Sequence, residues 1–275
     1  MTILVIGATG KTGRRVTAAL DALGVDHRPA SRGSGTRFDW FDETTWEPAL
    51  AGATAVYLVP PALTLDDTEV TAFVPRAVAA GVRRFVALSA RGIPEDDGRE
   101  RAVRESGVDW TVLRPTWFSQ NFSEDFFLPQ VLAGEVVLPA GGDGAHPFID
   151  ADGAHPFIDA RDIADVAVAA LTRDGHAGVV HELSGPEALT FSSVLRQVGE
   201  EAGRAIRLVD VPPAAFTAML VDGGMAPDYA ELLTGSLTAI RDGHDAHLSD
   251  GVPAVLGHGG RSFADYAKGA SAAWA

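Results

Sequence analysis

The sequence predicts an α/β protein: a doubly wound parallel sheet with a small, mainly helical C-terminal lobe. Three observations predict it. The chain opens on Thr2-Ile-Leu-Val-Ile-Gly7-Ala-Thr-Gly10-Lys-Thr-Gly13, an apolar run that leads into glycines spaced three apart and then a helical pattern. Short apolar runs then alternate with helical periodicity through the first half, the rhythm of βαβ units with right-handed crossovers. After Phe118 the rhythm loosens and apolar residues recur at helical spacing.

The opening segment reads as a dinucleotide-binding turn. Gly7 permits the tight turn off the strand, Gly10 lets the backbone approach a pyrophosphate, and Gly13 lets the helix starting near Thr12 pack closely on the strand. Phosphates at a helix N-terminus meet unpaired N–H groups and a positive dipole end, so no dedicated cation is needed. Val16, Leu20 and Leu23 give that helix its apolar face, and Gly24 closes it. Residues 25–31 read as the second strand. An NAD site usually places Asp or Glu at this strand's end, whereas this chain has Ser31-Arg32-Gly33-Ser34. A guanidinium with hydroxyls beside it suits a 2′-phosphate, which favours NADP(H) over NAD(H). Arg37 is a second candidate for that phosphate, and a solvated loop side chain is the alternative for Arg32.

Residues 53–59 read as a strand, 68–80 as a helix, 84–89 as a strand, 100–106 as a helix and 109–113 as a strand. Ligands of such sheets lie over the C-terminal strand ends. Those ends are Gly7, Ser31-Arg32, Val59-Pro60-Pro61, Ser89-Ala90-Arg91 and Arg114-Pro115-Thr116-Trp117, and together they predict a cleft. Further on, a helix is expected near 125–133, a strand at 136–139 and a strong helix over 161–171, started and capped by Arg161, Asp162 and Asp165. A strand at 181–184, a helix at 191–203 and a strand at 204–209 follow. Phe216 and Leu220, then Leu232, Leu233, Leu237 and Ile240, continue at helical spacing. The expected organisation is one domain over 1–275, with approximately 1–171 as nucleotide-binding core and 172–275 as substrate lobe.

Composition narrows the function classes. A formal charge of −15 argues against binding nucleic acid or an anionic membrane, either of which demands a basic face. The absence of cysteine removes disulfides, thiolate nucleophiles and thiolate metal sites. Lys11 and Lys268 are the only lysines, so few catalytic lysines are available. His27, His176, His181, His244, His247 and His258 form no ligand-spaced cluster, and no metal is expected. With no secretory n-region and no run of transmembrane length, a cytoplasmic protein, monomer or homodimer, acting on a small molecule is the expectation. One feature stands apart: Asp143-Gly-Ala-His-Pro-Phe-Ile-Asp-Ala151 recurs unchanged as Asp152 to Ala160. The second copy runs directly into Arg161-Asp162-Ile-Ala-Asp165 and is expected to keep the original role, the first lengthening a loop at the cleft.

The glycine turn, Ser31-Arg32, Trp110-Thr-Val-Leu-Arg-Pro115-Thr-Trp-Phe-Ser-Gln-Asn121 and Asp159-Ala-Arg-Asp162-Ile-Ala-Asp165 together resemble the NmrA-like branch of atypical short-chain dehydrogenases. Within it the likeness is to bacterial relatives of the ergot-alkaloid reductase (festuclavine dehydrogenase) group. The resemblance implies a Rossmann-type domain, NADP(H) and a C-terminal substrate lobe. It also implies Gly7, Thr9, Gly10, Lys11, Thr12 and Gly13 along the pyrophosphate, and Arg32, beside Ser31, at the 2′-phosphate. Asp39 would lie beside the adenine, Val59 and Pro60 beside the ribose, and Ser89, Ala90, Arg91, Pro115, Thr116 and Trp117 near the nicotinamide. The branch contains reductases and also regulators that bind NADP(H) without catalysis, so membership leaves both open.

The wider superfamily uses a Tyr with a Lys four residues later, whose ammonium lowers the phenol pKa. Tyr57, Tyr229 and Tyr266 have no Lys at that spacing; Tyr266 precedes Lys268 by two. The expected chemistry is therefore hydride transfer from NADP(H) to an imine, iminium, enone or quinone, acceptors that need little acid help. Ser89, Arg91 and Tyr57 are candidates to polarise a substrate oxygen, and Trp117, Phe118 and Phe122 to form an aromatic wall. The alternatives are a strand-end cap for Ser89, solvation for Arg91 and core packing for the aromatics. His155 with Asp159, and His146 with Asp150 in the other copy, are read as exposed turn residues.

Overall fold

The computed structural model describes residues 1–139 and 153–275. The first repeat copy, with His146 and Asp150, lies outside the described residues. The described strands are β1 (Thr2–Ile6), β2 (His27–Ser31), β3 (Thr36–Arg37), β4 (Ala53–Leu58), β5 (Arg84–Leu88), β6 (Asp109–Pro115), β7 (Glu135–Leu138), β8 (Val179–Leu183) and β9 (Arg207–Asp210). Seven of them form one parallel sheet in the order β3-β2-β1-β4-β5-β6-β8, and β7 pairs with β9 in a second, two-stranded sheet. Ile3 to Ile6 and Ala55 to Leu58 are buried without alternation, because a parallel sheet is covered on both faces. The chain leaves β1 towards β2 and β3, then returns to β4 on the other side. The switch point of the winding therefore falls between β1 and β4, where such sheets open a crevice.

Helices cover each face. On one side α1 (Gly13–Ala22), α6 (Ala160–Thr172) and α10 (Gly251–Leu256) bury Val16, Leu20, Ile163, Ala167 and Val252 against Ile3, Val5 and Tyr57. On the other, α2 (Trp46–Leu50), α3 (Thr68–Ala79) and α4 (Gly98–Arg104) pack on Leu4, Ile6 and Phe85. Phe38, Trp40, Trp46 and Phe73 interlock edge to face there, Trp40 and Phe73 with ring centroids 5.2 Å apart. The smaller lobe gathers α5 (Leu128–Ala133), β7, α7 (Phe191–Ala202), β9, α8 (Pro213–Asp222), α9 (Pro227–Arg241) and α11 (Phe263–Ala270) around Phe122, Phe127, Phe157, Phe191, Phe263 and Trp274.

The two regions interleave along the chain: β7 precedes α6, whereas β8 and α10, late in the sequence, complete the main sheet and its helical layer. The edge strand β3 and the short helix α2 were not expected, since each is too brief to show a period. Helix α6 begins one residue earlier than expected, and its cap is Asp159, whose carboxylate accepts the Arg161 N–H at 2.8 Å. Asp162 stands in the first turn of α6, as expected of a residue at the helix start, but the cap itself is Asp159. Asp162 is fully buried and accepts from the Arg261 N–H at 2.7 Å, pinning the chain ahead of α11 to α6. From Gly153 onward the second repeat copy is built into the fold: Phe157 and Ile158 are core, and a Cβ on Gly153 would sit 1.6 Å from the Ile240 carbonyl oxygen.

Candidate active site

The crevice begins at the turn between β1 and α1. Gly7 adopts φ +72°, a left-handed conformation that glycine takes without strain, and a Cβ on it would press on the Val59 side chain at 3.2 Å. A Cβ on Gly13 would lie 2.1 Å from the Gly7 carbonyl oxygen, so the first turn of α1 approaches the strand as only glycine allows. Gly10 donates its N–H to the Gly7 carbonyl at 2.8 Å and closes the turn. The amides of Lys11, Thr12 and Gly13 make no hydrogen bond among the described residues. Thr12, at the N-cap, supplies no side-chain cap either. This is the donor set a diphosphate would complete.

The loop after β2 is held by its own hydroxyls. Ser31 Oγ accepts from the Gly33 N–H at 3.2 Å, and Ser34 donates to the Thr36 carbonyl at 2.9 Å. Arg32 is exposed at the loop's apex and makes no ion pair or hydrogen bond among the described residues. Arg37 is paired with Asp42 at 3.3 Å. Asp39 accepts the Phe41 N–H at 3.1 Å, and beside it Trp40 donates its indole N–H to the Val59 carbonyl at 3.0 Å. The Trp40 indole thereby ties the segment that carries Asp39 to the end of β4 at Val59, where Pro60 is half-buried.

At the ends of β5 and β6 a buried ionic network organises the expected nicotinamide residues. Ser89 donates its hydroxyl to Glu100 at 2.5 Å, and Arg114 grips the same carboxylate with two bonds of 2.9 and 2.8 Å. Burial pushes the Glu100 carboxyl up, but the hydrogen bonds from Arg114 and Ser89 and the charges of Arg114 and Arg104 outweigh it and hold it below the usual range. Arg91 donates its backbone N–H to the Pro115 carbonyl at 2.9 Å, and its guanidinium is bound by Asp245 at 3.2 Å and the His247 carbonyl at 3.0 Å. The Arg91 side chain is 8% exposed, so the structure encloses it instead of leaving it solvated. Thr116 is spent as well, donating to the Pro156 carbonyl at 2.6 Å.

Trp117 is half-buried, with its ring stacked on Phe127 at 6.0 Å and its indole N–H on the Ser236 hydroxyl of α9 at 3.2 Å. Its backbone N–H donates to His155 Nε2 at 3.0 Å, while His155 Nδ1 lies 3.1 Å from the Asp245 carboxylate. This corrects the reading of His155 as an exposed turn residue paired with Asp159: it is fully buried and its partner comes from the loop after α9. Burial lowers its pKa, against the upward pull of Asp245, so the ring is neutral with Nε2 the acceptor. Phe122 is fully buried in the lobe core, and Phe118 packs beside the main core, leaving Trp117 as the aromatic at the strand ends.

Two further groups shape the crevice. Lys11 reaches across from the glycine turn to Asn121 at 2.8 Å and Asp125 at 2.7 Å, and Arg14 and Arg15 both bind Glu124, at 2.5 and 2.6 Å. The 121–125 segment is thus latched onto the start of α1. The three tyrosines differ sharply. Tyr57 is 0% exposed within β4, its hydroxyl towards Thr12, and burial pushes its pKa well up, so the structure does not bring it to the crevice. Tyr266 is buried and donates to Ser123 at 2.6 Å. Tyr229, on α9, is half-buried and its hydroxyl makes no hydrogen bond among the described residues. No group of three or more His, Asp and Glu among the described residues could hold a metal ion.

Sequence reasoning missed Glu100, Asp245, Ser236 and Glu182, the last of which lies on β8 with its carboxylate 3.5 Å from Arg91 Nε; they arrive from separate elements. Arg114 carried a signal, being a cation between buried positions of a strand, where a partner is required.

A family model described as NAD(P)H-binding matches residues 7–174. An uncharacterized oxidoreductase of Bacillus subtilis is 33% identical over 284 residues, covering 99% of this chain and 96% of its own. Festuclavine dehydrogenase of Aspergillus fumigatus is 34% identical over 297 residues, covering 100% and 99%. Among solved structures, the NADPH complex of a quinone oxidoreductase from Escherichia coli superposes with a TM-score of 0.73 at 22% identity, covering 98% of this chain and 99% of that one.

Proposed function

The chain belongs to the NAD(P)H-binding family, and from that premise we propose that it is an NADP(H)-dependent oxidoreductase that reduces a small organic acceptor: an imine or iminium, an enone or a quinone. The observation that carries this reading is the β1–α1 turn, where Gly7 and Gly13 admit no side chain and the amides of Lys11, Thr12 and Gly13 stand unpaired. Relatives named as dehydrogenase and oxidoreductase along the full chain support the redox assignment.

The residues present fit the cofactor. Gly7, Thr9, Gly10, Lys11, Thr12 and Gly13 would hold the pyrophosphate, with Lys11 exchanging Asp125 for a phosphate oxygen. Arg32, unengaged beside Ser31, would bind the 2′-phosphate; Asp39 would face the adenine, and Val59 and Pro60 the ribose. Ser89, Ala90, Arg91, Pro115, Thr116 and Trp117 would border the nicotinamide. When bound, the reduced nicotinamide supplies a hydride. The protein's part is orientation. Ser89 and Arg91 fix the ends of β5 and β6 through Glu100 and Asp245, and Trp117, braced by His155 and Ser236, offers a flat wall for a conjugated acceptor. No Tyr–Lys pair takes part, since Lys11 is tied at the glycine turn and Lys268 is exposed on α11, beyond the lobe core.

The test is titration with NADPH and NADH, followed by NADPH oxidation at 340 nm against quinones, cyclic imines, iminium salts and enones. Selective NADPH binding with turnover of at least one class is expected. Tight NADPH binding with no turnover across the panel would contradict the enzyme and point to a cofactor-sensing protein.

A further inference from the structure

Hydride addition to a carbonyl-conjugated acceptor leaves a negative charge on its oxygen, which some group of the protein must meet. Three hydroxyls near the strand ends are already committed: Ser89 donates to Glu100, Thr116 to the Pro156 carbonyl, and Tyr266 to Ser123. Tyr57 is sealed inside the sheet, and neutral His155 is fully buried. Arg91 is bound on Asp245 through Nη1 while its Nε and Nη2 make no hydrogen bond among the described residues, but a guanidinium does not give up a proton. A further phenol comes from the lobe, on α9.

Ala230, Thr234 and Leu237 form the buried face of α9, and Thr234 accepts a hydrogen bond from Thr217 of α8 at 2.8 Å. The adjoining face carries Tyr229 and Ser236, about two turns apart, and Ser236 marks where it points, since it receives the Trp117 indole N–H. Tyr229 therefore lies on the face turned towards the strand ends, further out, with a phenol that is half-buried and unbonded. The charge of Arg99 acts on this phenol, and Arg99 is itself held on Asp97 by bonds that include 2.7 Å from its Nη2, and donates to the Thr64 carbonyl at 2.8 Å. Arg99 thereby bridges the loops after β4 and β5, over the C-terminal edge of the sheet.

We propose that Tyr229 is a catalytic residue that donates its phenol proton to the oxygen of a carbonyl-bearing acceptor, with Arg99 as the cation that steadies the resulting phenolate. The proposal rests on the oxidoreductase reading above. In the step, the acceptor carbon gains the hydride, its π electron pair moves to the oxygen, and the oxygen takes the Tyr229 proton; solvent then returns a proton to the phenolate. The pairing of a phenol with a cation, which the sequence lacks at a four-residue spacing, is recovered in space from two distant elements. Burial raises the Tyr229 pKa, while Arg99 acts to lower it, keeping the phenol protonated and ready to donate near neutral pH. An iminium acceptor is neutralised by hydride alone and has no need of this proton.

The test compares Tyr229→Phe with the wild type on an enone and on N-methyl-3,4-dihydroisoquinolinium, with Glu231→Ala, at an exposed position of the same helix, as a control. The expected result is a fall in kcat of about tenfold to a hundredfold for the enone, an iminium rate within about twofold of wild type, and unchanged NADPH affinity. A wild-type enzyme that reduces only the iminium salt, equal losses on both acceptors, or an enone defect in Glu231→Ala as large as that in Tyr229→Phe would overturn the proposal. A second measurement needs no turnover: absorbance titration at 295 nm should show one phenol ionising before unfolding, absent in Tyr229→Phe and moved to higher pH in Arg99→Gln. A Tyr229 titration insensitive to Arg99 would also overturn it. A wild type that binds NADPH but reduces neither acceptor would instead count against the oxidoreductase reading.

Discussion

Single side chains divide into those that meet a ligand and those that hold others in place. Arg32 is proposed for the first kind: it is exposed, makes no ion pair or hydrogen bond among the described residues, and lies at the apex of a loop already shaped by Ser31 and Ser34. Arg32→Ala is expected to weaken NADPH about tenfold to a hundredfold, the worth of one or two charge-assisted bonds, and to leave NADH nearly unchanged, as read by calorimetric titration. Equal weakening of both cofactors would show that Arg32 does not read the phosphate. His155 belongs to the second kind. Its folded pKa is depressed by burial, so its contribution is fully present above about pH 6.5 and is lost as pH falls towards the lower folded value. Denaturant unfolding stabilities of wild type and His155→Gln should therefore converge as pH falls below about 6.5. A stability difference that is flat over that fall would mean the buried ring is not neutral. The glycine turn and the Ser31-Arg32 dipeptide were legible in the sequence because their chemistry is local. The partnership of His155 with Asp245 was not, because ninety residues separate them and both copies of the repeat display the same nearby Asp.

Elements were legible where a period had room to show. Strands β1, β4, β5 and β6 and helices α3, α6 and α7 match their expected places within a few residues, since each carries several turns or a continuous apolar run. β3, with two residues, and α2, with five, are set by tertiary packing around Phe38, Trp40 and Trp46. The fate of β8 was equally hidden, because an apolar run does not say which sheet it will join. The packing of α1 on β1 makes its own demand. With a Cβ on Gly13 placed 2.1 Å from the Gly7 carbonyl oxygen, Gly13→Ala should cost on the order of 3 kcal/mol and abolish nucleotide binding. Gly10→Ala, whose nearest contact would be 3.2 Å, should be milder in thermal melts. Similar melting temperatures for the two variants would contradict the close approach.

At the scale of the whole molecule, the sheet and lobe are joined by long-range ion pairs: Lys11 to Asp125, Arg91 to Asp245, and Arg261 to Asp162 and Asp165. The chain's net charge of −15 gave no hint of where the cations concentrate, and the site's polar frame emerges only when distant segments meet. The repeat is also settled at this scale. Removing either copy leaves the same chain, and in the second copy His155, Phe157, Ile158 and Asp159 are all buried in the fold. Deletion of residues 143–151 should therefore change stability by no more than about 1 kcal/mol, the scale of loop-closure entropy, and preserve NADPH binding. Unfolding or loss of binding in the deletion variant would assign the first copy an essential role. Hydride transfer at the ends of β5 and β6 is the central proposal. The most direct measurement is reduction of the enone and iminium acceptors with NADPH deuterated at the transferring C4 position, followed by mass spectrometry of the products. Deuterium on the reduced carbon is the predicted result. NADPH bound selectively, with no deuterium transferred to any acceptor, would contradict it.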